Sequence, residues 1–329
     1  MYYLGIDVGG TNIKAGVVNH DGYVLAETHL PTDAAAGPQQ GVQTIKKLAE
    51  IALEQAALEM QQIMGVGLAT PGTMDIPSGM LLDPPNLPGW ENFPIRQQVE
   101  ETLNKQTILQ NDANAAAYAE FWIGAGQHVN SLVMFTLGTG IGGGIIINDM
   151  IVEGAHSHGS ECGHIIIEYQ NGRYCDTGQY GTLEAYAGAK ALVRRCNEAL
   201  DAGENSVLQD LYKSNKEITP LEIATAAMDG DSLADRLIME MAVYLGIGAT
   251  TIMHVIDPDM ILYGGGMTFG REETGLGVRF LERIRQEVEQ RAFPACSQNT
   301  TIEYASLGGA AGFIGAAGCA RQGFGGGHQ

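Results

Sequence analysis

A glycine-rich turn between two β-type strands occurs twice in this chain, and that recurrence constrains its fold more than any other feature. Asp7-Val8-Gly9-Gly10-Thr11-Asn12 joins strands expected at Tyr2–Ile6 and Lys14–Val18. A third strand, Tyr23–Glu27, follows the turn signal Asn19-His20-Asp21-Gly22. In the second half, Thr136-Leu137-Gly138-Thr139-Gly140-Ile141-Gly142-Gly143-Gly144 lies between strands expected at Ser131–Leu137 and Gly143–Ile147. Gly138, Gly140 and Gly143 also match the dinucleotide fingerprint, which needs a helix directly after the loop. The β-type run Gly144-Ile145-Ile146-Ile147 follows instead, so a Rossmann reading fails in its own context. Two strand–turn–strand starts predict a duplicated α/β domain.

The elements between these turns alternate. Helices are expected from Gly37-Pro38 to about Met60, at Ile95–Leu103, Asn114–Phe121, Leu183–Leu200, Pro220–Met228, Ser232–His254 and Gly308–Ala320. Strands are expected at Met64–Ala69, Thr107–Gln110, Met260–Tyr263 and Thr301–Ala305, and the tail Gly323–Gln329 reads as disordered. A length of 329 residues suits two domains. No run of 18 apolar residues predicts a membrane span, and the start, Met1-Tyr2-Tyr3-Leu4-Gly5-Ile6-Asp7, does not read as a signal peptide. The expected location is the cytoplasm. A formal net charge of -20 argues against nucleic acid as a partner. Five cysteines, an odd number spread along the chain, read as reduced thiols.

Each candidate residue has two readings. Gly9 and Gly10 permit a concave anion site lined by backbone N–H groups, with Thr11, Asn12 and Lys14 beside it and Asp7 placed to hold Mg²⁺ directly or through water. The same stretch is equally an ordinary hairpin turn. Paired with Gly138, Thr139 and Gly140, it predicts a grip on a triphosphate. Asp112 stands where a strand gives way to a helix. It is either a helix cap or, given the phosphate loops, the base that accepts a proton from an alcohol during phosphoryl transfer. Gly264-Gly265-Gly266 closes a buried-type strand, either as a plain turn or as a surface for adenine and ribose.

Taken in order, Asp7–Thr11, Ala69-Thr70-Pro71-Gly72, Asn111-Asp112-Ala113-Asn114-Ala115-Ala116, Leu137–Gly144, Glu161-x-Gly163-His164, Leu183-Glu184, Asp257-Pro258 and Gly264–Gly266 resemble the ROK family of bacterial sugar kinases. That family lies within the sugar kinase/actin/Hsp70 ATPase superfamily. The resemblance implies two actin-like, ribonuclease H-like α/β domains with an interdomain cleft, divided as 1–118 plus 308–329 and 119–307. It implies Mg²⁺ and ATP as cofactors, a homodimer, and a hexose substrate, most simply glucose phosphorylated at O6. Mannose, fructose and N-acetylglucosamine are the alternatives. Asp112 becomes the catalytic base, and Gly72, Asn86, Asn111, Glu161, His164 and Glu184 become sugar contacts. Hexose hydroxyls both donate and accept, which suits carboxylates and a histidine.

The chain departs from the family at one place. ROK members often carry Cys-x-Cys-Gly-x-x-Gly-Cys-x-Glu around a structural zinc, and here that stretch reads Cys175-Asp176-Thr177-Gly178-Gln179-Tyr180-Gly181-Thr182-Leu183-Glu184. Hydroxyls are poor substitutes for thiolates, so no zinc is expected and His164 is left for the sugar. A sugar-responsive regulator is the rival function. Its helix-turn-helix would precede the first loop, and with Asp7 so near the start no such segment is expected. An Hsp70- or actin-like ATPase would lack the Glu161, His164 and Glu184 set.

Overall fold

A computed structural model describes residues 1–325. The chain opens with β1 (Tyr2–Val8), β2 (Asn12–Asn19), β3 (Val24–Pro31), α1 (Pro38–Gln55), β4 (Ile63–Thr70), the hairpin β5 (Thr73–Asp75) and β6 (Met80–Asp83), α2 (Ile95–Leu103), β7 (Thr107–Asn111) and α3 (Asp112–Trp122). Next come β8 (Ser131–Leu137), β9 (Ile141–Ile147), β10 (Met150–Ile151), α4 (Glu184–Ala187), α5 (Ala189–Asp201), α6 (Gln209–Lys213), α7 (Pro220–Met228) and α8 (Ser232–Ile256). The chain then forms β11 (Met260–Gly265), α9 (Gly275–Arg291), α10 (Pro294–Ser297), β12 (Thr301–Tyr304) and α11 (Ala311–Phe324).

The strands form two five-stranded sheets, ordered β3-β2-β1-β4-β7 and β10-β9-β8-β11-β12. Each sheet takes the first three strands of its half in reverse and then adds two more, so the duplication is visible in the topology. In the first sheet β1 pairs antiparallel with β2 and parallel with β4, and β4 pairs parallel with β7.

The chain divides into two compact units, one of Met1–Leu132, Gly144–Ser160 and Ser306 onward, the other of Val133–Gly143 and Glu161–Ala305. The expected division at 118 falls inside α3, which continues to Trp122. Gly144–Ser160 also joins the first unit. A Cβ on Gly144 would lie 2.3 Å from Ala117 Cβ, so this stretch rests on α3.

In the first unit helices cover both faces of the sheet. Leu4, Ile6 and Leu68 share one core with Val42, Ile45, Leu48 and Ala49 of α1 and Val99 of α2. The alternate positions face α11. A Cβ on Gly5 would sit 1.9 Å from the Phe313 carbonyl oxygen, and one on Gly67 would sit 1.7 Å from that of Ala316. Glycine at these two positions therefore lets helix and sheet backbones touch. α1 stops at Gln55, short of the expected Met60, because Ala57 turns left-handed (φ 52) and Leu58 N–H closes back on Leu53 O at 3.0 Å.

In the second unit the expected helix Leu183–Leu200 is two helices, broken at the extended Gly188. α9 was not expected from the sequence, although Leu276, Phe280, Ile284 and Val288 recur every fourth residue behind the cap Thr274, which accepts from Gly277 N–H at 3.0 Å. Among the described residues α8 alone is long and apolar enough to cross a membrane by length and composition, and half of that stretch is buried. It packs against α4, α5, α7 and α9 as a core helix. At the C-terminus Gly323 and Phe324 belong to α11 rather than to a disordered tail, and 326–329 lie outside the described residues.

Candidate active site

The parallel strands β1, β4 and β7 end along one edge of the first sheet. Asp7 is in register with Ala69, and Thr70 with Asn111. With neighbouring strands about 4.8 Å apart, Asp7 and Asn111 lie two strands, or about 10 Å, from each other. The carboxyl ends of such strands are where α/β folds carry their ligands.

Asp7 ends this edge on the side of the first glycine turn. Burial pushes its carboxyl up to about 6, against the opposing pull of the Lys14 ammonium across the β1–β2 pair. α11 begins beside it: a Cβ on Gly312 would lie 2.2 Å from Asp7 Oδ2. Within the turn Gly9 N–H donates to Asn12 O at 3.0 Å, so this amide is spent internally and does not face a ligand as expected. The buried Thr32 braces the turn, donating from Oγ1 to Gly9 O and from N–H to Thr11 O. Gly10 abuts Asn86: a Cβ on Gly10 would lie 2.9 Å from both Asn86 Cβ and Asn86 O. The first unit thus brings Asn86, a residue expected at the sugar, against the first glycine turn.

The cap at this junction is Asn111 rather than Asp112. Asn111 is the helix cap, its Oδ1 accepting from Ala113 N–H (2.9 Å) and Asn114 N–H (3.2 Å). Asp112 opens α3, with Oδ1 accepting from Ala113 N–H at 2.8 Å. Behind them the buried Gln110 accepts from Asn111 N–H through Oε1 and donates to Glu153 through Nε2 at 2.7 Å. Thr70 is fully buried with its Oγ1 unpartnered. Gly72 (φ +88) turns the chain against Pro84, where a side chain would meet backbone at 2.5 Å.

In the second unit the turn Gly138–Gly140 and the glycines Gly264–Gly266 lie side by side. Met267 N–H donates to Leu137 O at 3.1 Å, and a Cβ on Gly265 (φ +90) would lie 2.3 Å from the same oxygen. A Cβ on Gly138 or Gly266 would meet nothing within 4 Å, so both positions are open to a ligand. Thr139 stands in the same turn, its carbonyl oxygen 3.4 Å from where a Cβ on Gly188 would sit. Glu161 and His164 form one short turn, with His164 Nε2 4.0 Å from Glu161 Oε2 and His164 Nδ1 buried without a partner. Glu184 is tied to this neighbourhood through Leu183, whose N–H donates to Ile165 O at 2.9 Å. Its carboxylate is already engaged, however: Oε2 accepts from Ile141 N–H at 2.7 Å and Oε1 from the Cys175 thiol at 3.4 Å.

The ROK family model matches residues 3–323. The chain belongs to the ROK family. Among its relatives it is 31% identical to a glucokinase of Halalkalibacterium halodurans, over 95% of this chain and 93% of that one. A solved ROK-family glucokinase of Streptomyces griseus, in complex with glucose and AMPPNP, superposes with a TM-score of 0.79 at 33% identity, covering 98% of this chain and 100% of the other. The xylose repressor of Caldicellulosiruptor bescii is 31% identical over 92% of this chain and 74% of its own.

In this ROK chain the stretch from Cys175 to Glu184 is a hydrogen-bonded hairpin. Cys175 N–H donates to Gln179 O (2.8 Å), Gly181 N–H to Arg173 O (2.8 Å), and Thr182 Oγ1 accepts from Ala185 N–H (3.3 Å). Among the described residues no group of three or more His, Cys, Asp or Glu is placed to hold a metal. All five cysteines are free.

One residue of the first unit escaped the sequence reading. Glu120 is fully buried in α3, and its carboxylate accepts from Leu307 N–H (2.7 Å), Ser306 Oγ (2.9 Å) and Ala125 N–H (2.9 Å). It pins the segment that leads into α11. No local signal marks this hold, since Ser306 and Leu307 lie 186 and 187 positions away.

Proposed function

We propose that this ROK chain, an ATP-dependent sugar kinase by its likeness to the glucokinases, transfers the γ-phosphoryl group of ATP to O6 of glucose. The observation that carries the reading is the edge of the first sheet, where a carboxylate at a helix start, Asp112, shares strand ends with the glycine turn and Asp7. Phosphoryl transfer asks for a positioned alcohol, a proton acceptor and charge on the phosphate oxygens, and little covalent chemistry.

Roles follow unit by unit. In the first, Asp112 accepts the proton of the attacking hydroxyl and Asn111 donates to the sugar from its amide nitrogen, its oxygen being used as the cap. Gly10 and Thr11 offer backbone N–H groups to phosphate. Asp7, with Lys14 beside it, fits Mg²⁺: a largely enclosed carboxylate that a cation would hold ionised. When bound, Mg²⁺ supplies neutralising charge to the phosphates. In the second unit, the open positions at Gly138 and Gly266 suit a nucleotide, and Glu161 and His164 suit sugar hydroxyls. The unpartnered Nδ1 of His164 has a hydrogen bond still to make. The same reading takes the protein as a cytoplasmic homodimer without zinc.

The test is an assay of ADP release with Mg²⁺-ATP and a panel of glucose, mannose, fructose and N-acetylglucosamine. Glucose-dependent turnover supports the proposal, and turnover with another hexose corrects the substrate. The likeness to xylose repressors supports a second reading, a sugar-sensing module. Sugar binding without turnover in folded protein would favour it.

A further inference from the structure

We propose that Gln110 and Glu153 are positioning residues for Asp112: the Glu153 carboxylate aims the Gln110 amide, and that amide holds the chain on both sides of Asp112. The kinetic consequence rests on the sugar-kinase reading; the hold itself does not. Gln110 is 1% exposed and stands one residue before the end of β7. Its Oε1 accepts from Asn111 N–H at 2.8 Å and from Asn114 Nδ2 at 3.2 Å. One oxygen therefore grips the last residue of the strand and the first turn of α3, with Asp112 between them. Asn111, fixed in this way, caps the N–H groups of Ala113 and Asn114, so the backbone that carries Asp112 is held before and after it.

The Gln110 amide has one workable orientation. Two donors face Oε1, while Nε2 donates to the Glu153 carboxylate at 2.7 Å; turned over, an NH₂ group would meet two donors and an oxygen would meet a carboxylate. A charged acceptor makes the stronger hydrogen bond, so Glu153 sets that orientation more firmly than a neutral side chain would. Glu153 comes from a loop 43 positions along the chain, and the loop is itself tied: Gly159 N–H donates to Glu153 O at 2.7 Å and Ser160 Oγ to Val152 O at 2.9 Å. Its charge reaches the interior. Burial first, and then the Glu153 carboxylate, push the Cys319 thiol of α11 up to about 12. A plain strand end would be served as well by an apolar residue, because a buried amide is costly unless bonded. Here the amide spends its oxygen on the two flanks of Asp112 and its nitrogen on the carboxylate that aims it.

Gln110→Glu sets a second carboxylate against Glu153, whereas Glu153→Gln alone leaves an amide oxygen to accept. The double exchange, Gln110→Glu with Glu153→Gln, remakes the bond between the two positions with its direction reversed and keeps an acceptor for Asn111 and Asn114. At about pH 8, where two facing carboxylates repel, kcat is expected to fall about tenfold or more in Gln110→Glu. It should stay within about threefold of wild type in Glu153→Gln and recover to within about threefold in the double exchange, with the KM for ATP within about twofold throughout. Amide exchange across 110–116, read by mass spectrometry, should be several-fold faster in Gln110→Glu, restored in the double exchange and unchanged at α9. Should Gln110→Glu fail to fold, Glu153→Ala removes the acceptor from the half-buried loop, with the same loss of kcat and the same faster exchange expected. An unchanged kcat, a loss that the double exchange does not recover, a change in the KM for ATP instead of kcat, or unchanged exchange at 110–116 would each overturn the proposal. If wild-type protein shows no turnover with any hexose, the kinase reading falls, and the exchange measurements still decide the hold on Asn111 and Asn114.

Discussion

Lys14 donates from Nζ to the Gly309 carbonyl oxygen at 2.6 Å, joining positions 295 apart in the chain. The same ammonium faces Asp7 across the β1–β2 pair, so the start of α11, the cation and the carboxylate form one group beside the first glycine turn.

Asp7 titrates near 6, and nucleotide binding on the proposed reading needs its ionised form. Affinity for Mg²⁺-ATP, measured by calorimetry, should fall as pH drops through about 6. In Lys14→Met the ammonium no longer opposes burial, so this acid limb should move to higher pH. The sign for stability is the reverse. The folded state holds the Asp7 proton more tightly than the unfolded chain does (about 6 against 3.8), so stability declines as pH rises through that window. Asp7→Asn removes the decline and should raise Tm at pH 7 but not below pH ~3.8, while weakening nucleotide binding.

Asp112→Asn should leave the circular dichroism unchanged and lower kcat by about 10²–10⁴, the usual worth of a general base. Asn111→Ala removes a cap and should cost about 1 kcal/mol in urea unfolding as well as raising the sugar KM. The pair separates catalysis from capping.

Two glycines with opposite surroundings test the backbone contact between α11 and the first sheet. Gly67→Ala drives a methyl to 1.7 Å from the Ala316 carbonyl oxygen and should cost 3 kcal/mol or more, at the top of the range of about 1–3 kcal/mol for an overpacked core. Gly275→Ala, at the first position of α9 with nothing within 4 Å, should be neutral or slightly stabilising. Thermal melts of the two proteins suffice.

Glu120→Ala should strand the N–H groups of Leu307 and Ala125 in a buried site and cost about 3 kcal/mol or more. Glu120→Gln retains one acceptor oxygen and should fall between the two. Urea titrations of both variants give the comparison.

Metal analysis of chelator-washed protein is expected to give well under one zinc per chain. A tight structural site would survive the wash, so about one ion per chain would refute the expectation.

Much of the local structure was legible because its causes are local. Pro38 at the start of α1 and the apolar spacing of α1 and α8 lie within a few residues of what they determine. α9 carries the same kind of signal in Leu276, Phe280, Ile284 and Val288. The helix expected from Leu183 divides in two because Gly188 is extended there, its position set by contacts to Glu184 and the 138–140 turn.

What the sequence by itself determined was many of the longer elements, the two glycine turns and the chemistry of the residues beside them, since turn geometry, capping and periodicity are written in near neighbours. Tertiary structure decided the rest. The strand orders, the use of Glu184 on Ile141 N–H rather than as an open carboxylate, and the hold of Glu120 on Ser306 and Leu307 all join distant parts of the chain. Such pairings arise only when whole faces are buried together and every enclosed polar group must find a partner, a condition no local stretch can express.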